Sequence, residues 1–340
     1  EGLIMGIKSN NPAAYYFNMF GDTGFLEPKL LLDATGGSTV EPGNGYKYHV
    51  FTSPGSFTIT PATIPAVPTG TYEVLIVAGG GCGGFSADSV SGGGGAGGIV
   101  HYTSYPLPAG TVGTITIGPG QSVDGNSAGP DNGATSGTDT VFGATTAKGG
   151  GSGAEGVSNS QGVWKSTGRS GGSGGGGIGY LGPGSYFSDG GPGTQPAQPL
   201  VSGAGGTNYG NDGANGAPSY KGGGGGGSGG SAPGPTSEDG GDGQPFPGFA
   251  APFISPLIPA PAATAIGPTG LFGGGGAASG GGGPWGTGGP GGGGNFVPGD
   301  PIGEGATGYG SGGSGSQAGT NNELDSGAGS NGIVIIRYTF

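Results

Sequence analysis

The feature that most restricts this chain is its runs of consecutive glycine. Gly222 to Gly227 is six in a row, and further clusters occupy 149–153, 171–177, 273–283 and 288–294. Each glycine costs about 1 kcal/mol relative to alanine inside an α-helix, and in a strand it offers no side chain to pack. With 97 glycines and 29 prolines among 340 residues, more than a third of the chain resists regular elements. Helical bundles, doubly wound nucleotide-binding sheets and coiled coils are excluded. Collagen needs glycine at every third position, and the six-glycine run breaks that register. A disulfide scaffold needs several cysteines, and Cys82 is alone. No apolar run reaches the ~18 residues of a membrane helix.

Such a composition also reads as disorder. Two features oppose that reading. A net charge of −12 over this length is too dilute to drive self-repulsion. Strong strand signals also bracket the glycine-rich stretch. Tyr46, Tyr48 and Val50, then Phe57 and Ile59, alternate around Pro54-Gly55, a hairpin signal. Glu73-Val74-Leu75-Ile76-Val77 is a continuous apolar run, as for a strand buried on both faces. Thr114-Ile115-Thr116-Ile117 alternates, and Gly332-Ile333-Val334-Ile335-Ile336-Arg337-Tyr338 closes the chain with a second apolar run. Strands near 46–60, 72–78, 112–118 and 332–339 are therefore expected to pair in a small β-sandwich enclosing the glycine segments.

Glycine runs can be ordered without side chains. A polyproline-II-type helix has three residues per turn and no internal hydrogen bonds, so its N–H and C=O groups point outward. If the residues are glycine, neighbouring helices approach closely enough to bond to each other, which satisfies the main chain. The expected class is all-β with polyglycine-II and no significant α-helix. Residues 1–45 read as an N-terminal attachment segment and 46–340 as the glycine-rich β/polyglycine-II domain.

The ordered series Glu73–Gly84, Gly92–Val100, Gly113–Gly118 and Gly332–Tyr338, with the lead-in Tyr48–Ile59, resembles the glycine-rich domain of bacteriophage tail-fibre and virion surface proteins. The resemblance covers about 46–340. It implies bundles of polyglycine-II helices whose connecting loops carry host specificity. It further implies a non-enzymatic fibre or fibre-tip adhesin on the virion surface, present in several copies. Its expected partners are other virion subunits and a host saccharide or outer-membrane protein. A capsid decoration protein or another structural virion protein is the alternative, and a bacterial surface adhesin module a further one.

Aromatic residues on loops over a rigid scaffold bury much area at low entropic cost. The receptor-binding candidates are Trp164 with Lys165 and Arg169, then Tyr180, Tyr186 and Phe187, then Tyr209 and Tyr220. The competing reading makes these aromatics end caps of glycine helices. Trp285 is a plug or a contact residue. Tyr15, Tyr16 and Phe17 are candidates for an assembly interface. So are Phe246, Phe249, Phe253, Ile254, Leu257 and Ile258, on a proline-rich stretch (244–272) expected to be a long extended arm lying on a neighbouring subunit or over the sandwich.

Enzyme signatures are weak. Gly-x-Gly-x-x-Gly recurs, but about eight chance matches are expected at this glycine frequency and the required helix cannot follow. Cys82 with His49 or His101 is a triad only on paper and reads better as a small buried residue. Two histidines do not make a zinc site, and Asp239-Gly240-Gly241-Asp242 resembles a calcium loop only faintly. No cofactor or metal is expected. Eight scattered basic residues argue against nucleic acid, and no membrane insertion is expected.

Overall fold

The computed structural model describes residues 34–59, 70–86, 90–107, 110, 112–122, 134–159, 162–180, 186–198, 205–218, 220–234, 236–280, 285–298, 303–317 and 326–339. Eleven strands build two antiparallel sheets: β1 (Ala34–Thr35), β2 (Ser38–Val40), β3 (Tyr46–Phe51), β4 (Gly55–Ile59), β5 (Gly70–Val77), β6 (Ile99–Leu107), β7 (Val112–Thr116), β8 (Thr140–Phe142), β9 (Thr145–Ala147), β10 (Thr207–Tyr209) and β11 (Ile333–Thr339). The six-stranded sheet has the order β10-β6-β5-β11-β3-β2, and the five-stranded sheet β1-β4-β7-β8-β9. The two bracketing runs pair directly, with Val77 opposite Ile333 and Val74 opposite Ile336.

The unbroken apolar character of those runs follows from burial on both faces. Val74, Ile76, Val334 and Ile336 face the five-stranded sheet and join a core with Phe57, Tyr72, Tyr102 and Phe142. Their neighbours Leu75, Val77, Ile333 and Ile335 point the other way, into a second core with Tyr48, Phe249, Ile254, Ile266 and Phe272. Burial of each large apolar side chain contributes about 1.5–3 kcal/mol.

That second core corrects the reading of 244–272. The segment is not extended. It folds back over the sheet as a cap made of short helices, α1 (Ala251–Ile254) and α2 (Ala260–Ile266), with 3-10 turns at Pro247–Phe249 and Ser255–Leu257. Pro247, Pro252, Pro256 and Pro261 sit at the first or second position of these turns, where a missing N–H costs nothing. Phe246, Phe249, Ile254 and Ile258 are buried within this one chain, and Phe253 and Leu257 are half-buried against the same core.

A polar clamp locks the cap to the sheet. The Arg337 Nε donates to Glu73 Oε2 at 2.7 Å, and its Nη1 donates to the Gly248 carbonyl at 2.9 Å. The Tyr48 hydroxyl donates to the same carbonyl at 3.0 Å. His101 Nε2 lies 3.0 Å from Glu73 Oε1, and the guanidinium sits 4.3 Å from the Tyr46 ring centroid. Burial opposes ionisation of Glu73, but the hydrogen bonds from His101 and Arg337 prevail and hold its carboxyl below the usual range.

Two further differences from the expected layout concern the sandwich. Residues 34–40, read as part of the attachment segment, contribute β1 and β2. Nor does the sandwich enclose the glycine segments: they leave one end of it. Strand β5 runs into 79–84, β6 is entered from 92–98, β7 runs into 118–120, β9 into 149–153, and β11 is entered from 326–332.

Candidate binding face

The glycine segments form a lattice with a repeat of three. Gly92, Gly95 and Gly98 donate to the carbonyls of Ala154, Gly151 and Lys148. Gly93 and Ala96 donate instead to Gly223 and Gly226, and Gly94 and Gly97 to Gly313 and Gly310. The carbonyls of 92–98 accept from 78–84, from 173–176 and from Gly276. Segment 92–98 is thus surrounded by six others, and its bonds step round them residue by residue. This is the symmetry of a helix with three residues per turn. Every N–H from Gly92 to Gly98 is paired at 2.7–3.1 Å, and none of these glycines has positive φ.

Two clusters do contain local turns. Gly227 donates to Gly230, and Gly293 to Gly289 with Gly291 and Gly292 at φ 101° and 99°. These turns reverse the chain at the sandwich end of the lattice.

The same pairings define a distal end. Gly98 abuts strand β6, whereas Gly92 lies six residues away and bonds with Gly84 and Ala154. Beyond Ala154 the chain forms a hairpin, Gly156–Asn159 with Gly162–Lys165, in which Trp164 pairs with Val157 and Lys165 with Gly156. Beyond 171–178, which runs alongside 92–98, comes a second hairpin with Tyr180 opposite Tyr186 and Gly179 opposite Phe187. Before 222–227 stands Tyr220, the one non-glycine with positive φ (56°) among the described residues. The parent segments 148–154, 171–178 and 222–227 are consecutive members of the ring around 92–98. The sequence candidates Trp164, Lys165, Tyr180, Tyr186, Phe187 and Tyr220 therefore converge on one side of the distal end. Phe187 is 55% exposed there.

Other candidates fall elsewhere. Arg169 lies inside the lattice, its N–H donating to Ser152 and its carbonyl accepting from Gly175. Tyr209 is on β10 at the sandwich end, opposite Ile99, with its ring 5.4 Å from Phe246. It packs, partly buried, against the second core. Tyr15, Tyr16 and Phe17 lie outside the described residues. Ala34, where the described chain begins, pairs with Ile59 at the base of the sandwich, the end remote from the lattice.

The sites weighed for enzyme chemistry are dispersed. Cys82 is buried beside Phe85 and Ala134, its Sγ donating to the Thr135 carbonyl at 3.2 Å, and burial pushes the thiol up to about 11. His49 bonds to Gly36 and Tyr338, and His101 to Glu73. Asp239 Oδ1 accepts from the Thr287 N–H and hydroxyl at 2.7 and 2.9 Å. Among the described residues no cluster of three potential metal ligands occurs. No helix among them is long and apolar enough to cross a membrane.

Sequence reading passed over two features. The Glu73–Arg337 clamp had a signal, since each apolar run carries one charge at the end that antiparallel pairing sets opposite the other. Phe296, whose ring packs tilted against Trp285 at a centroid distance of 5.8 Å, had none. Among curated proteins nothing matches this sequence. A family model described as a glycine-rich domain, however, matches residues 52–339, which covers the lattice and the sandwich from β4 to β11, and the chain belongs to that family of glycine-rich domains.

Proposed function

We propose that this chain is a non-enzymatic virion surface protein, a fibre or fibre-tip adhesin whose distal loops contact the host envelope. The observation that carries the reading is the placement of its aromatic loops. The hairpins bearing Trp164 and Tyr180–Phe187 and the turn at Tyr220 grow from three adjacent lattice segments. They lie at the end opposite Ala34, the first described residue. One end is thereby free to meet a receptor while the other meets neighbouring virion subunits. The lattice between them has its hydrogen bonds buried and internal, which suits a surface exposed to protease and shear. The receptor class is a host saccharide or outer-membrane protein.

Trp164→Ala and Tyr186→Ala test the reading by three measurements on assembled particles. Expected are unchanged melting, unchanged incorporation and reduced adsorption, with a central aromatic contributing roughly 2 kcal/mol or more. Lower melting with normal adsorption would make these residues end caps. Loss of the protein from the particle would make them contacts to other subunits, as in a decoration protein.

A further inference from the structure

A second feature of the distal end lies on the far side of 222–227 from the Tyr180–Phe187 hairpin, across the ring from the Trp164 hairpin. Segment 273–280 runs from the sandwich to the distal end alongside 92–98, and beyond it stands Trp285. Trp285 is 41% exposed, and hydrogen bonds tie down the described residues that follow it. Phe296, 6% exposed, backs it, and the Phe296 N–H donates to Gly286. Thr287 is tied to Asp239 through both its N–H and its hydroxyl. Asn295 Oδ1 accepts from the Gly288 N–H at 2.9 Å, and Asn295 Nδ2 donates to Glu304 Oε2 at 3.1 Å.

Two properties of this arrangement indicate a ligand class. Trp285 is the exposed large aromatic of this loop, and the side chains bonded to its chain neighbours Thr287 and Gly288 are the polar Asp239 and Asn295, unlike the broad apolar patch of a protein interface. The fringe is also mostly acceptor in character. Asp239 uses only Oδ1, and Glu304 only Oε2, in hydrogen bonds among the described residues. Each keeps a carboxylate oxygen able to accept from hydroxyls. Among the described residues the cation near this side is Lys221, whose Nζ lies 4.0 Å from Glu238 Oε2.

We propose that Trp285, with Asp239, Asn295 and Glu304, is a subsite for a neutral, hydroxyl-rich sugar ring. The negative face of the indole attracts the C–H edge of a pyranose. The carboxylates and the remaining Asn295 N–H address its hydroxyls. Carboxylates without a free cation repel phosphate, sulfate and uronate groups, so charged glycans are rejected. This subsite rests on the adhesin reading for its biological purpose, but its chemistry is measurable on the isolated chain.

The chain has two tryptophans, so Trp164→Phe leaves Trp285 as the reporter. Its fluorescence is titrated with neutral glucose-, galactose- and N-acetylglucosamine-based tetrasaccharides, and with a sulfated tetrasaccharide. The expected result is a saturable change with at least one neutral sugar and none with the sulfated one. Asn295→Ala in the same background should weaken binding about tenfold, equivalent to about 1.4 kcal/mol. Binding followed by calorimetry should vanish in Trp285→Ala. If that variant does not fold, the Asn295→Ala titration decides alone. No saturable response to any neutral sugar, preference for the sulfated one, or full affinity in Asn295→Ala overturns the proposal. Because adsorption of Trp164→Ala particles is scored separately, a chain that loses adsorption yet binds no sugar retains the adhesin reading and loses only this subsite.

Discussion

The sandwich and the lattice solve the same problem with opposite materials. In the sandwich, Tyr72, Tyr102, Phe57 and Phe142 fill the space between sheets, and stability resides in side-chain volume. In the lattice the main chain is both structure and filling. A Cβ placed on Gly224 would fall onto the carbonyl oxygen of Asp239, and one on Gly275 onto that of Gly225. Removing atoms therefore weakens the first region, and adding atoms breaks the second. The comparison teaches that close packing can be reached without a hydrophobic core, provided that every backbone group finds a partner.

The largest effect should come from adding atoms to the lattice. Gly224→Val or Gly275→Val is expected to abolish folding, because the obstructing atoms are backbone with nowhere to move. A soluble, protease-resistant Val variant would refute the contrast. Next comes removal from the sandwich. Phe57 is fully buried, with its ring edge-on to Tyr72 at 5.5 Å. Phe57→Ala should cost about 3–5 kcal/mol in denaturant unfolding, while leaving a folded protein if global stability allows.

The two regions should also answer acid with opposite signs. Glu73 in the sandwich has its carboxyl held below the usual range despite its burial, through His101 and Arg337. Its contribution is complete above the unfolded carboxylate pKa, about 4.3, and fades as pH falls through the lower folded value. Glu238 at the distal end of the lattice is 9% exposed, and burial raises its carboxyl, only partly offset by Lys221. Its contribution is complete below the unfolded pKa and is lost as pH rises through the higher folded value. At neutral pH Glu73→Gln should cost about 2–3 kcal/mol, whereas Glu238→Gln should raise the melting temperature slightly. Thermal melts of both variants between pH 3 and pH 7, on the order of the range over which carboxylates titrate, check the two signs together.

The smallest effect sharpens where the lattice ends. Gly234 lies on the loop between Gly230 and Ser237, with nothing near the position of an added Cβ and no positive φ. Gly234→Ala should stabilise by about 0.4–1 kcal/mol by restricting the unfolded chain. A large loss would extend the lattice rules into that loop.

What the sequence made legible divides along the same line. The strands at 46–51, 55–59, 74–77 and 333–336 were readable because alternation and β-branched runs report local burial, and their pairing followed from the bracketing pattern. The bonding of glycine segments to one another was readable because no other partner is chemically available to such runs. The cap at 251–266 was not. Seven prolines suggested extension, although the fourfold spacing of Ile254, Ile258, Ala262 and Ile266 carried a helical signal. Prolines that open each turn mask a helix made of very short pieces. At the distal end the aromatic positions were visible in the sequence. Which of them share a face was not, because that depends on ring neighbours such as 148–154 and 171–178, and no local pattern encodes them.

The threefold bonding of the lattice also fixes how the length of this chain can change. In a β-ladder, a one-residue insertion turns side chains to the opposite face and a second restores them. Around Gly92–Gly98 an insertion of one residue would rotate everything beyond it by a third of a turn. Each following N–H would then be aimed at a different neighbouring segment. Two inserted residues would be no better. Only a change of three returns the register. Within the lattice, then, viable insertions and deletions should come in threes, and among the distal hairpins they are free to come in any number.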